Sequence, residues 1–135
     1  MSIEENKAAV RRLMTEVARG DLAVIDELIA PDFVFHNPSA PAVGGGPAGY
    51  RRWLARRGAP GTGRITIEDQ LAEGDKVATR FTARGTHPET GTPVTVTVIA
   101  IDQLRGGRLV GHWDEADLLG MLRQIGAVPA SDPTR

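Results

Sequence analysis

The hydrophobic spacing of this chain changes near residue 64, and that change limits the folds open to it. Before this point apolar residues recur every three or four positions, which is the period of an amphipathic helix. After it they alternate with polar residues, which is the period of a strand with one buried face. The chain therefore places helices first and long strands afterwards. Because each must bury its apolar face on the other, this order predicts an α+β fold.

Two amphipathic helices are predicted at the N-terminus. The first begins after Ser2, which has the capping-box spacing with Glu5. The second begins after Asp21 and ends before Pro31, because proline cannot continue a helix. Both apolar stripes need a further partner, and the sheet that follows is the available one.

The segment Ser39 to Gly49 is rich in proline and glycine and predicts a loop. A third helix is predicted from Pro47 to Arg57, and it overlaps the predicted loop at residues 47–49. Trp53 lies on its apolar side, where it is a candidate for contact with a substrate. The arginines of this helix form a basic patch, which is either a solvated face or an anion-binding surface.

The second half of the chain predicts an antiparallel meander preceded by one short strand. The predicted strands are Phe33–His36, Ile65–Leu71, Lys76–Thr86, Val94–Ile101 and Arg108–Trp113. Glycine-containing turns separate the later strands. A long twisted sheet with helices across one face curls into a cone, and the open end of a cone forms a pocket.

Length and composition exclude several classes of protein. The 135 residues fit one domain, which we assign to residues 1–127, with residues 128–135 as a disordered tail. The absence of cysteine excludes disulfides and thiol chemistry. A net charge of −1 gives no electrostatic case for binding nucleic acid or a membrane surface. With no signal peptide and no membrane span in the sequence, we expect a cytoplasmic protein.

The densest group of reactive side chains lies where the last strand meets the last helix. Asp117 precedes an apolar helix, so its carboxylate is either a partly desolvated general base with a raised pKa or a helix N-cap. Either His112 or Trp113 faces inward, because successive residues of a strand point to opposite faces. His112 and Asp114 share a face if the strand extends that far, as a carboxylate-oriented imidazole or as an ion pair at the strand edge.

Other candidates lie further upstream. His36 and Asn37 end the first strand and border the predicted loop, although a histidine before Asn-Pro is also typical of a turn. Arg80 lies in mid-strand, where it either pairs with a carboxylate or projects to solvent. The three histidines lack the local spacing of a metal site, so we expect neither a metal nor a cofactor. Acid–base chemistry or plain ligand binding remains.

Stretches spread from about Ile3 to Gly126 carry a family resemblance. They are Glu5–Leu13, Gly20–Leu22, Asp26–Val34, His36–Pro38, Glu73–Arg80, Gly85–His87, Val94–Thr97, Gly107–Trp113 and Asp117–Gly126. Together they resemble the SnoaL-like polyketide cyclase (ester cyclase) family of the nuclear-transport-factor-like superfamily. The resemblance implies a cone-shaped α+β fold with the N-terminal helices on the concave side of its sheet. It also implies a homodimer or a higher homo-oligomer.

The resemblance also implies roles for particular residues. It assigns the acid/base to Asp117, and it gives His36, Asn37, Gln103 and His112 positions that line the pocket and contact substrate carbonyls. Trp113 would form a wall of the pocket.

Three functions remain open at this point. The first is cofactor-free ring closure of a small polyketide-like substrate, in which His112, Asn37 or Arg80 stabilises an enolate. The second is epoxide opening or hydration, or a related hydroxylation, with Asp114 and Asp117 as the acid/base pair. The third is a ligand-binding or dimerisation module without catalysis.

Overall fold

The computed structural model describes residues 2–37, 43–56 and 63–129, and within these ranges helices precede strands as the spacing predicts. The elements are α1 Ile3–Ala18, α2 Ala23–Leu28, β1 Ile29–Phe35, α3 Gly46–Arg56, β2 Arg64–Glu73, β3 Lys76–Thr86, β4 Pro93–Arg105, β5 Arg108–Ala116 and α4 Leu118–Gln124. Residues 130–135 of the predicted tail, residues 38–42 with the start of the predicted loop, and Arg57 lie outside the described residues.

The strands form one sheet in the order β1-β5-β4-β3-β2. Strands β2 to β5 are an antiparallel meander, whereas β1 pairs with β5 in parallel. The sheet is curved and does not close, and the N-terminal helices cover its concave face. The predicted α+β class is therefore confirmed. No helix among the described residues is long and apolar enough to cross a membrane.

Helix α1 begins as its sequence predicts, whereas α2 has Leu22 and not the predicted Asp21 as its N-cap and ends at Leu28, because β1 begins at Ile29. Ser2 Oγ accepts from the backbone N–H of Glu5 at 3.0 Å, and the Glu5 carboxylate accepts from the Ser2 backbone N–H at 3.3 Å. The capping box is therefore confirmed. Helix α1 connects to α2 through a bidentate ion pair between Arg12 and Glu27, with N–O distances of 2.6 and 2.7 Å.

Strand β1 begins earlier than predicted. It starts at Ile29 and includes Pro31, where the sequence had predicted a start at Phe33. Proline has no N–H for a strand ladder, but β1 lies at the edge of the sheet, where one side of the strand needs no partner. Strands β4 and β5 also continue beyond their predicted ends at Ile101 and Trp113.

Glycines allow the start of α3 to lie directly against β1. A Cβ atom at Gly45 would lie 2.5 Å from the carbonyl oxygen of Phe33, and one at Gly46 would lie 2.9 Å from that of Pro31. Gly46 also has a φ of +66°, a conformation that other residues rarely adopt. These contacts hold α3 over the end of β1, so that Trp53 lies above the sheet.

The core lies between the helices and the concave face. Its fully buried side chains include Leu13 of α1, Ile25 of α2 and Phe33 of β1. The Phe33 ring makes edge contacts with Phe35 and Tyr50, at centroid distances of 4.8 and 5.8 Å. Phe33 thus joins β1 to α3 beside the region where the polar residues of β5 lie.

Replacing Phe33 should destabilise the fold. We expect Phe33→Ala to lower the free energy of unfolding by about 3–5 kcal/mol, because it removes a buried ring and leaves a cavity. The matched control is Leu118→Ala on exposed α4, which should change it by less than about 0.5 kcal/mol. Urea unfolding followed by circular dichroism measures both. Equal losses in the two variants would contradict the assigned position of the core.

Candidate active site

A buried histidine held between two carboxylates forms the centre of the candidate site. His112 Nδ1 lies 2.6 Å from Oδ1 of Asp102, and its Nε2 lies 2.7 Å from Oδ2 of Asp114. The side chains of all three residues are largely buried, with 10% of His112, 6% of Asp102 and 9% of Asp114 exposed. Strand β4 supplies Asp102, and β5 supplies the other two residues. We call these three residues the Asp–His–Asp cluster.

A β-bulge gives the cluster its alignment. Leu104 lies opposite Leu109, but the next paired residues are Gln103 and Gly111, so Val110 is an extra residue in β5. The bulge changes which residues of β5 face inward. Beyond it Asp102 lies directly opposite His112, and both side chains point to the concave face.

The two carboxylates determine the protonation of the histidine. Burial lowers the pKa of the His112 imidazole, but the charge of Asp102 and the hydrogen bonds to Asp102 and Asp114 outweigh it. Together they raise this pKa from 6.5 to about 9. At neutral pH the ring is therefore an imidazolium, and each of its N–H groups donates to one carboxylate.

Asn37 fixes Asp114 from the other side. Its Oδ1 accepts from the Asp114 backbone N–H at 2.9 Å, and its Nδ2 donates to the Asp114 carboxylate oxygen Oδ1 at 3.0 Å. The same Nδ2 also donates to the Asp114 carbonyl oxygen. Asn37 lies two residues after the end of β1, and β1 pairs with β5 in parallel, which brings Asn37 and Asp114 together. Both carboxylate oxygens of Asp114 thus accept a hydrogen bond.

Aromatic rings cover the histidine on the concave side. The ring of Phe35 lies 5.7 Å from that of His112, and the Trp53 ring lies 5.5 Å away, both at steep angles. Phe35 and Trp53 also contact each other at 5.0 Å. An apolar wall beside a charged group excludes water and strengthens its electrostatic interactions. Trp53, a predicted substrate contact, thus lies beside the ring of His112.

Asp117 lies in a different environment from the one expected. Its side chain is exposed, and its Oδ1 accepts from the Gly120 backbone N–H at 2.9 Å as the N-cap of α4. The expected desolvation of this carboxylate is wrong, because the apolar side chains Leu118 and Leu119 point to solvent and do not cover it. The capping interpretation accounts for its position.

His36 and Trp113 lie on the outer face of the sheet. Their rings stack on each other with a centroid distance of 4.4 Å and an angle of 13°. Trp113 pairs with Ile101, whose side chain is exposed on that face, whereas its neighbour His112 points inward. His36 and Trp113, which were predicted to line a pocket, thus lie on the face of the sheet opposite the Asp–His–Asp cluster.

Arg80 and Gln103 also lie away from the cluster. The guanidinium of Arg80 is exposed on the outer face and forms an ion pair with Asp69 at 2.6 Å. Both predicted alternatives, pairing with a carboxylate and projection to solvent, therefore apply to Arg80. Gln103 donates to Asp75 at 2.8 Å, near the turn between β2 and β3. The roles assigned to them, contact with substrate carbonyls and stabilisation of an enolate, are not supported by these positions.

The sequence interpretation did not identify Asp102. The predicted strand ends at Ile101, and an aspartate directly after a strand is typical of the beginning of a turn, so Asp102 was not recognised as part of the strand. One signal was available. Asp102 lies three residues before the turn Arg105-Gly-Gly107, so it belongs to one strand of a hairpin and lies near His112 of the other strand. The bulge that aligns the two residues has no sequence signature.

Two further observations bear on the chemistry available to the molecule. Within the described residues, no group of three or more His, Asp or Glu side chains is arranged to hold a metal ion. Two surface grooves lie between α1 and β2, at the sheet edge opposite β1, and no acidic residue or histidine lines them. The grooves therefore lack the carboxylate and imidazole groups that are present in the Asp–His–Asp cluster.

Comparisons with known proteins point to one family. The model of the SnoaL-like domain matches residues 10–112. TsrD from Streptomyces laurentii is 28% identical, with a TM-score of 0.81 over 95% of this chain and 99% of that chain. IdmH from Streptomyces antibioticus, a candidate polyketide cyclase, is 33% identical, with a TM-score of 0.75 over 90% of this chain and 98% of that chain.

A candidate polyketide cyclase from Acidithiobacillus ferrooxidans is 30% identical to this chain. Its TM-score is 0.80, over 94% of this chain and 99% of that chain. No curated protein matches the chain in sequence.

The raised pKa of His112 predicts how stability depends on pH. The folded chain holds this proton more tightly than the unfolded chain. The stabilisation is therefore complete below pH 6.5 and is lost as the pH rises through about 9. A titration followed by NMR should show the His112 ring losing its proton near pH 9. In Asp102→Asn, which removes the nearest charge, the midpoint should fall. A midpoint at or below 6.5 in the unmodified protein would contradict the assigned hydrogen bonds.

Proposed function

Because the chain belongs to the SnoaL-like domain family, we propose that it is a cofactor-free acid–base enzyme that acts on a small, hydrophobic, polyketide-like substrate. The observation that carries this proposal is the Asp–His–Asp cluster, which lies on the concave face and is covered by aromatic rings. Relatives described as candidate polyketide cyclases share about a third of their residues with this chain and support an enzymatic role.

Within the cluster, Asp114 is the group best placed to exchange a proton with a substrate. Both nitrogens of His112 already donate to carboxylates, and Asp102 lies deeper, on the far nitrogen of the ring. The Asp114 side chain, which is 9% exposed, lies at the end of the cluster beside Asn37. A carboxylate has about four lone-pair sites, so an oxygen that accepts one hydrogen bond can also accept a proton from carbon.

The proposed reaction is an intramolecular aldol-type ring closure. Asp114 takes a proton from a carbon flanked by two carbonyl groups, and the electron pair of the C–H bond forms an enolate. The enolate carbon then attacks a second carbonyl carbon of the same molecule and forms a C–C bond. The resulting alkoxide takes the proton back from Asp114, so the enzyme returns to its starting state.

The other members of the cluster would hold and balance the base. With both carboxylates ionised, the cluster carries two negative charges and the one positive charge of His112. The imidazolium, 2.7 Å from Asp114, offsets the negative charge that moves to the enolate. Asp102 keeps the ring protonated and oriented, and Asn37 fixes the backbone and carboxylate of Asp114, so both act as positioning residues.

Epoxide opening by water is the second candidate function. The arrangement that favours it is a carboxylate with an imidazolium beside it, since one can activate water while the other supplies a proton. Here Asp114 would take a proton from water, and the water oxygen would attack an epoxide carbon. The C–O bond at that carbon would break, the departing oxygen would take a proton from His112, and the proton on Asp114 would then return to His112. Labelled water separates the two functions, because hydration places one oxygen of water in the product and ring closure places none.

Exchange of Asp114 tests the proposed base. We expect Asp114→Asn to lower kcat for closure of a linear aromatic triketone by about 10²–10⁴-fold, since a positioned general base contributes this much. The matched control is Asp117→Asn, which keeps its capping ability and should stay within about twofold. The measurement is product formation at saturating substrate, with circular dichroism to verify folding. Loss of activity in the control and not in Asp114→Asn would assign the base to Asp117.

We also propose that two copies of the chain associate through the outer face of the sheet. Leu71, Ile99, Ile101 and Val34 expose apolar side chains there, on the same face as the Arg80–Asp69 ion pair, and exposed apolar side chains rimmed by polar ones are typical of a protein–protein contact. The stacked rings of His36 and Trp113 lie on the same face. The helices already cover the opposite face, so it is not available for pairing.

Association is tested by a charge on the outer face. Sedimentation should give about twice the chain mass of 14.4 kDa. Ile101→Glu should give the mass of one chain, because burying an unpaired carboxylate in a contact is costly. Leu118→Glu, on the exposed side of α4, should leave the larger mass unchanged. A single-chain mass for the unmodified protein would contradict the proposed contact.

A further inference from the structure

An arginine-lined groove lies between α1 and β2, at the far edge of the sheet from the Asp–His–Asp cluster. Its volume is about 480 Å³, and Arg19, Arg64 and Arg84 are among its lining residues. A second groove of about 600 Å³ shares Thr15, Ile65 and Thr66 with the first. The two therefore form one continuous channel along the edge strand, which we call the edge groove.

Two of these arginines occupy positions that are unfavourable for folding. Arg64 of β2 and Arg84 of β3 are direct partners across an antiparallel pair. Like charges placed opposite each other in this way destabilise a sheet. Arg84 is held over the groove, where its Nη1 donates to Thr66 Oγ1 at 3.4 Å. Folding alone gives no reason for this pair.

Nothing in the described part of the chain neutralises these charges. No carboxylate oxygen among the described residues lies within 4 Å of a guanidinium nitrogen of Arg19, Arg64 or Arg84. This differs from Arg80, which lies on the same strand as Arg84 and bonds Asp69 at 2.6 Å. Arg19 is the C-cap of α1, where the partial negative charge of the helix end stabilises a cation. Arg64 and Arg84 lie on strands, so neither occupies a helix end of this kind.

We propose that the edge groove is a binding site for a small organic anion with an apolar body. The guanidinium groups supply charge-assisted hydrogen bonds to a phosphate or carboxylate group. The apolar body lies along Ile65 and Ala18, which line the same groove. The site is separate from the proposed active site, because β3 and β4 lie between β2 and β5 in the sheet.

The chemistry of the lining determines which anion fits. A groove lined by arginine alone would hold inorganic phosphate as well as an organic phosphate, because charge would be the main attraction. The apolar residues add a contribution that only a ligand with a hydrocarbon part can obtain. An alkyl phosphate is therefore the simplest probe of the site, and inorganic phosphate is its matched comparison.

Binding of octyl phosphate below its micelle concentration tests this proposal. NMR titration should shift the backbone amides of Ile65 and Thr66, and octyl phosphate should bind more tightly than inorganic phosphate. Arg84→Gln should weaken binding about tenfold, because it removes a charged donor from the groove. Arg80→Gln, four residues away and already paired with Asp69, should change the affinity by less than about twofold. Both variants are expected to fold, since both side chains are exposed.

Other results would overturn the proposal. Equal affinities for octyl and inorganic phosphate would show that the apolar lining does not take part. Equal losses in the two variants would show binding by overall charge and not by the edge groove. Association with phosphatidylglycerol vesicles in the absence of octyl phosphate binding would assign the surface to a lipid membrane. No shift of either amide with any probe would leave the groove without this function.

Discussion

Burial of the Asp102 carboxylate is the constraint on which the rest of the site depends. A carboxylate that is 4% exposed must be paired with a positive group, because an isolated buried charge costs many kcal/mol. His112 is that group, and the charge of Asp102 together with the hydrogen bonds to Asp102 and Asp114 keeps its ring protonated. Asn37 then holds Asp114, so the polar contacts extend from the middle of β4 to the end of β1.

The bulge at Val110 makes this pairing possible. Without the extra residue, Asp102 would lie opposite Gly111, and His112 would point to the outer face. A shift of one residue in the register would therefore leave Asp102 buried without a partner. The fold and the candidate site thus require the same local irregularity, and the buried ion pair favours this register over its neighbours.

The sequence was enough to predict the helices, the α+β class and the shared face of His112 and Asp114, because each follows from local periodicity or from a capping residue. It was not enough for Asp102 and Trp113, whose positions depend on the register between β4 and β5. Asp117 shows a different limit. Adjacent leucines suggest burial of a carboxylate, but only the packing of α4 determines whether they cover it.

The proton on His112 connects stability to the proposed chemistry. The imidazolium offsets two carboxylates in the interior, and in the proposed reaction the same charge would stabilise Asp114 while it exchanges a proton with the substrate. Loss of that proton in alkaline solution would leave two buried negative charges and would remove one hydrogen bond from the cluster. The stability of the fold and the proposed acid–base activity should therefore decline over the same pH range, near the raised pKa of about 9 for His112. A base that depended on the exposed Asp117 would have no such connection to the stability of the core.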